Sequence, residues 1–177
     1  MATTFPMPIP HAPTGFVNQA ALDTAFTTPI NDLAAIAPQG ILGEATSGSA
    51  VTLSTTSSFA GLATVTFTLT ATRRVRIMVQ ASFVPAGTSS VRWTIQPGYN
   101  TGVSASIGSV TLVGASYDVS KDGGGTTGRS QSASSTGTKL LPAGTYTAYA
   151  AIARPVGGSA SDTVTNFYIL VEDIGGS

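Results

Sequence analysis

Proton transfer near neutral pH calls for a histidine, or for a carboxylate or lysine held in a shaped pocket. The sequence has one histidine, His11, set among Pro6, Pro8, Pro10 and Pro13. A proline-bearing arm has no frame that would hold an imidazole against a hydroxyl, so His11 reads as a surface or interface residue and a serine triad is not expected. Paired carboxylates can cleave a glycosidic bond, but they must converge from different strands across a set gap. Glu172 and Asp173 are neighbours in the chain and, on a strand, point to opposite faces. Asp118, Asp122 and Asp162 fall in or near turn-forming residues, where acids stay solvated and shape the backbone. Asp118 and Asp122, beside Gly123, Gly124 and Gly125, offer oxygen ligands of the kind calcium takes, but the spacing of an EF-hand is missing. No G-K-[ST] ending or helical pattern follows the three glycines, so they are not a phosphate cradle. The expectation is a protein without enzymatic activity, metal or cofactor.

Arg73, Arg74 and Arg76 are the densest positive charge. On a strand Arg74 and Arg76 share the face opposite Val75 and Ile77, either as a solvated row or as partners for acids of a neighbouring copy. Arg74, Arg76, Glu172 and Asp173 are therefore the expected contacts between subunits. Trp93, Tyr99, Tyr117, Tyr146, Tyr149 and Tyr168 have flat rings that suit a sugar ligand, yet in a small β-sandwich most such rings pack inside.

Strands must position these groups. Ala63, Val65, Phe67 and Leu69 alternate with Thr64, Thr66 and Thr68, and Val75, Ile77, Val79, Ala81 and Phe83 alternate with mostly polar partners. That period of two predicts strands with one buried and one wet face. Short strand patterns recur at 49–54, 62–70, 74–84, 90–96, 106–114, 126–134, 145–153 and 163–172, punctuated by Pro85-Ala86-Gly87, Pro97-Gly98, Lys121 to Gly125, Pro142-Ala143-Gly144 and Pro155 to Ser159. Eight strands suit a jelly roll, an all-β sandwich. The stretch from Tyr117 to Thr138 is polar and long enough to be a loop instead of a strand.

Ahead of the sandwich, residues 1–40 form a separate attachment unit. The prolines make residues 1–15 a stiff extended arm whose Phe5, Met7 and Ile9 suit docking onto another protein. Two short helices follow, split at Pro29; the first carries Leu22 and Phe26 behind Phe16, the second Ile30, Leu33 and Ile36. Phe5, Met7, Ile9, Phe16, Leu22 and Phe26 are the candidate docking residues. Gln39-Gly40 reads as the hinge to a sandwich over 41–177.

Only 9% of residues are charged, and the eight basic and eight acidic side chains cancel. Free monomers ordinarily stay soluble through surface charge, so a chain packed among copies is expected. Neither sign forms a block, which argues against nucleic acid. No run approaches the roughly 20 apolar residues of a membrane span, and the N-terminus lacks the pattern of a secretory signal. With no cysteine, stability must come from packing.

Three stretches, FVNQAALDTAF with PINDLAAI, LLPAGTYTAYAAI and the closing FYILVEDIGGS, together resemble the small minor tail or head-decoration proteins of tailed bacteriophages, particularly those of actinobacterial hosts. That resemblance implies an N-terminal attachment segment joined to a jelly roll like those of the tumour-necrosis-factor and C1q folds, often a homotrimer. It also implies a virion location, with tail-tip or capsid proteins as partners and a host cell-surface glycan as a further one. In that family Leu141 to Tyr146 leads into a core strand and has no reactive role. The expected function is a non-enzymatic, receptor-contacting tail protein. A capsid decoration protein is the alternative, ahead of a carbohydrate-binding module or a small depolymerase.

Overall fold

A computed structural model of the chain describes residue 29 and residues 40–52, 60–86, 90–103, 110–121, 130–157 and 162–176. The proline arm and, apart from Pro29, both expected helices lie outside the described residues.

Ten strands follow one another: β1 (Gly40–Ser47), β2 (Val51–Thr52), β3 (Ala60–Leu69), β4 (Arg73–Val84), β5 (Val91–Thr101), β6 (Thr111–Leu112), β7 (Tyr117–Lys121), β8 (Gln131–Leu141), β9 (Gly144–Gly157) and β10 (Thr163–Gly176). One antiparallel sheet runs β1-β10-β4-β8, with β2 also on β10; the other runs β3-β9-β5-β6, with β7 also on β5. Setting aside the two-residue β2 and β6, eight strands divide between two sheets in jelly-roll order, each sheet mixing early and late strands. The all-β expectation is met.

The alternating runs make the core. Along β4 burial alternates from Arg73 to Ala81, and Val75, Ile77, Val79, Ala81 and Phe83 meet Phe67, Leu69, Trp93 and Ile95 of the facing sheet. Phe83 stacks on Trp93 at 5.3 Å between ring centroids. β9 departs from the alternation. Ala148, Ala150 and Ile152 join the core, while the intervening Thr147, Tyr149 and Ala151 are buried as well. On that second face, Val110 and Leu112 crowd against Gly98, the register partner of Tyr149: a Cβ at Gly98 would lie 2.6 Å from Val110 Cγ2.

Several strand boundaries differ from expectation. Pro97-Gly98 is no turn but the middle of β5, where the Pro97 carbonyl accepts Val113 N–H at 2.9 Å. Of the strand expected at 49–54, the described part that is strand is β2, which pairs with one end of β10; a longer partner of β10 is β1, which starts at the supposed hinge with Gly40 at φ 81°. Of the strand expected at 126–134, the described part falls in β8, which runs on to Leu141, and Tyr117 to Thr138 holds β7 and most of β8, with 122–129 outside the described residues. Of the strand expected over 106–114, the described part is β6. β9 runs on through Pro155 to Gly157.

Tyr146 holds the turn that opens β9. Its hydroxyl donates to the Pro142 carbonyl at 2.9 Å, and its ring contacts Phe67 and Tyr99 with centroids 5.6 and 6.0 Å away. Burial, and then Tyr99, push that hydroxyl above the usual tyrosine range, so it stays a donor. Tyr146→Phe keeps the ring and removes one buried hydrogen bond; a loss of about 1 kcal/mol is expected in urea unfolding.

Candidate functional site

The outward face of the β1-β10-β4-β8 sheet gathers Arg74, Arg76, Glu172, Glu44 and Tyr168. The cross-strand register builds it in rows. Ile41 of β1, Glu172 of β10, Arg76 of β4 and Thr138 of β8 stand side by side, and so do Thr46, Tyr168, Gln80 and Ser134. Arg74 sits opposite Leu140 at one end, near Ile174.

Arg76 donates from Nε to Glu172 Oε2 at 2.7 Å. Arg76 and Glu172, expected to contact a neighbouring subunit, also pair with each other within the chain, because β10 and β4 are neighbours and the two fall in register. Asp173 takes no part in the outer face. It points inward beside Arg73, Nε to Oδ2 3.6 Å, with side chains 4% and 0% exposed, and its Oδ1 accepts Gly175 N–H at 2.9 Å. Arg74 is exposed. Beside it lie Leu140 (40%) and Ile174 (36%), and the more exposed Ile41 (63%) stands two strands over in the row of Glu172 and Arg76.

The Tyr168 end of the face is different in character. The Tyr168 hydroxyl donates to Glu44 Oε2 over a long 3.4 Å. Burial, reinforced by Glu44 and Glu172, raises its pKa, so it remains protonated. Just before it β10 bulges: Thr165 pairs with Ser82 and Tyr168 with Gln80, so one extra residue is absorbed. Asn166 there has φ 52°, the one non-glycine with positive φ among the described residues.

The described acids weighed for catalysis are occupied by structure. Asp162, expected to be solvated, is 1% exposed and accepts Ala86 N–H at 2.9 Å, holding the backbone just beyond β4. Asp118 stands on β7, exposed, where it accepts from Thr94 at 2.7 Å and faces Arg92 at 3.8 Å. Asp122 and the three glycines lie outside the described residues, as do His11 and the docking candidates Phe5, Met7, Ile9, Phe16, Leu22 and Phe26. Among the described residues no cluster of three or more acids, histidines or cysteines is placed to hold a metal.

Of the six aromatic platforms, Trp93, Tyr146 and Tyr149 are buried and Tyr99 packs against the core. Tyr117 and Tyr168 are left with surface to offer, Tyr117 being 53% exposed at the start of β7. Sequence reasoning missed the association of Tyr168 with Glu44, which depends on β1 pairing with β10 across more than a hundred residues.

No protein-family model matches the chain, and no curated protein matches it. Among solved structures it is similar to the Eiger TNF of S. frugiperda, at 14% identity and TM-score 0.42, over 63% of this chain and 66% of that one. It is also similar to the structure of infectious bursal disease virus, Gx strain, at 12% identity and TM-score 0.35, over 80% of this chain and 33% of that one.

Proposed function

We propose that the chain is a non-enzymatic structural protein of a bacteriophage virion, anchored by its N-terminal arm and displaying the jelly roll as a trimeric knob. The observation that carries this reading is the surface of the sandwich. Its outward strand faces carry small hydroxyls bonded to one another across strands: Thr68 with Thr145 at 3.1 Å lies in the open, while Thr66 with Thr147 at 3.2 Å and Ser82 with Ser132 at 3.0 Å each set one exposed hydroxyl against a buried one. Such faces allow close contact between copies without broad apolar patches. The engaged acids Asp118, Asp162 and Asp173 support a role without catalysis. Leu140 and Ile174 beside Arg74, with Ile41 in the Glu172–Arg76 row, are the described surface best suited to contact between copies.

A receptor-contacting place at the tail is the leading placement and capsid decoration the second. Deleting residues 1–15 is expected to abolish incorporation into particles while leaving a folded, soluble sandwich; undiminished incorporation defeats the anchoring role. Leu140→Asp with Ile174→Asp is expected to turn trimers into monomers in sedimentation. Imaging of labelled particles separates tail from capsid, and a label on neither ends the virion reading.

A further inference from the structure

We infer that the Tyr168 end of the β1-β10-β4-β8 face is a binding site for a neutral oligosaccharide. This rests on the reading that the knob faces outward and names the ligand class it meets there.

Three observations converge on that end. The first is chemical composition. Thr46, Tyr168, Gln80 and Ser134 form one cross-strand row. Four strands at ordinary sheet spacing make that row about 14 Å long, the scale of a short glycan. It offers one aromatic ring, an amide and hydroxyls, with the Glu44 carboxylate beside the ring. A pyranose has the complementary pattern: an apolar C–H face for a ring and equatorial hydroxyls for amides and carboxylates.

The second is charge. Arg76 is already held by Glu172, and the exposed Arg74 stands six residues from Gln80 along β4, about 20 Å away at strand rise. Lys139, also exposed, stands five residues from Ser134 along β8, about 17 Å away, so among the described residues a sulfated or uronate-rich polymer would meet Glu44 before it met either cation. A neutral sugar meets no such obstacle.

The third is the backbone. The bulge at Thr165/Tyr168, with Asn166 at φ 52°, falls immediately before the ring. An extra residue in a strand changes the direction of the side chains that follow, and bulges recur where a strand aims a group at a ligand. The Glu44 contact, weak at 3.4 Å, favours one position of the Tyr168 hydroxyl and so one orientation of the ring.

The test is an array of neutral hexose and pentose oligosaccharides, with sulfated and uronate-bearing ones as the charged arm, followed by titration of the strongest neutral binder. The intact chain is expected to bind neutral members. Tyr168→Ala should weaken that binding about tenfold or more, and Gln80→Ala several-fold. Arg74→Ala, at the other end of the face, should leave it unchanged. If Tyr168→Ala does not fold, as judged by the fluorescence of Trp93, Gln80→Ala and Glu44→Gln together take its place. No neutral binding, binding of charged members alone, or binding that these variants leave intact overturns the inference. A particle-borne protein that binds no sugar removes this inference alone, whereas a sugar binder missing from particles removes the virion reading alone.

Discussion

Replacing Gly137 with alanine is expected to lower stability by about 3 kcal/mol, near the upper end for overpacking a closed site. Gly137 lies on β8, and the segment after β6 crosses it backbone to backbone. A Cβ at Gly137 would fall 2.6 Å from the Val113 carbonyl carbon and 2.7 Å from its oxygen. Gly114 is the other half of the contact: its own Cβ would meet Thr136 O at 2.5 Å, and its φ is +69°. Because the obstructing atoms are main chain, no side chain can swing aside. The crossing is also tied down by hydrogen bonds. Ser135 Oγ donates to Ala115 O at 2.7 Å, Gln96 Nε2 to Gly114 O at 2.8 Å, and Val113 N–H to Pro97 O at 2.9 Å. This clip therefore fastens β8 of one sheet to β5 of the other, and moving it breaks bonds on both. Urea unfolding followed by Trp93, the single tryptophan and 0% exposed, measures the loss. Gly114→Ala should cost at least as much, and the double variant less than the two together, since one displacement of the crossing relieves both clashes. Full additivity would show that the two glycines act separately.

Asp173→Ala is expected to cost about 3–5 kcal/mol, the range for removing one partner of a buried ion pair. Arg73 and Asp173 sit at the end of the sandwich with almost no exposed side-chain surface. Taking away the carboxylate leaves the guanidinium charge in the interior and deprives Gly175 N–H of its acceptor. A combined Arg73→Met, Asp173→Leu variant is expected to recover much of the loss, because apolar groups of similar volume need no desolvated charge. Equal unfolding midpoints for the single and double variants would rule out charge burial as the cause. The contrast with Arg76 and Glu172 is instructive. That pair is half open to water, with side chains 44% and 21% exposed, and Glu172→Ala should change stability by less than about 1 kcal/mol.

Periodicity made β3 and β4 legible because apolar residues from Ala63 to Leu69 and from Val75 to Phe83 point inward in alternation with mostly polar ones. β8 was harder for a physical reason: its inward positions include Ala133, Ser135 and Gly137, sized for the crossing segment instead of for an apolar layer. β9 conceals itself the other way. Its run from Tyr146 to Ala153 is buried on both faces, so no alternation survives. Pro97-Gly98 carried a turn signal, yet the proline's carbonyl is used by Val113 and the glycine makes room for Val110. The outward direction of Arg74 and Arg76 and the opposite directions of Glu172 and Asp173 follow from strand period alone. That Arg76 meets Glu172, that Arg73 accompanies Asp173 inward, and that Tyr168 reaches Glu44 depend on register between distant strands, which local pattern does not encode.

The last strand of the sandwich lies between two of the earliest. β10 is hydrogen-bonded to β1 on one side and to β4 on the other, so during synthesis those two wait with open edges until residues 163–176 leave the ribosome. Closure is thus a late, all-or-none event governed by long-range pairing, which makes it slow compared with translation of a single strand. Until then the waiting edges are templates for foreign strands, and nascent chains crowded on one messenger are exposed to mispairing with one another.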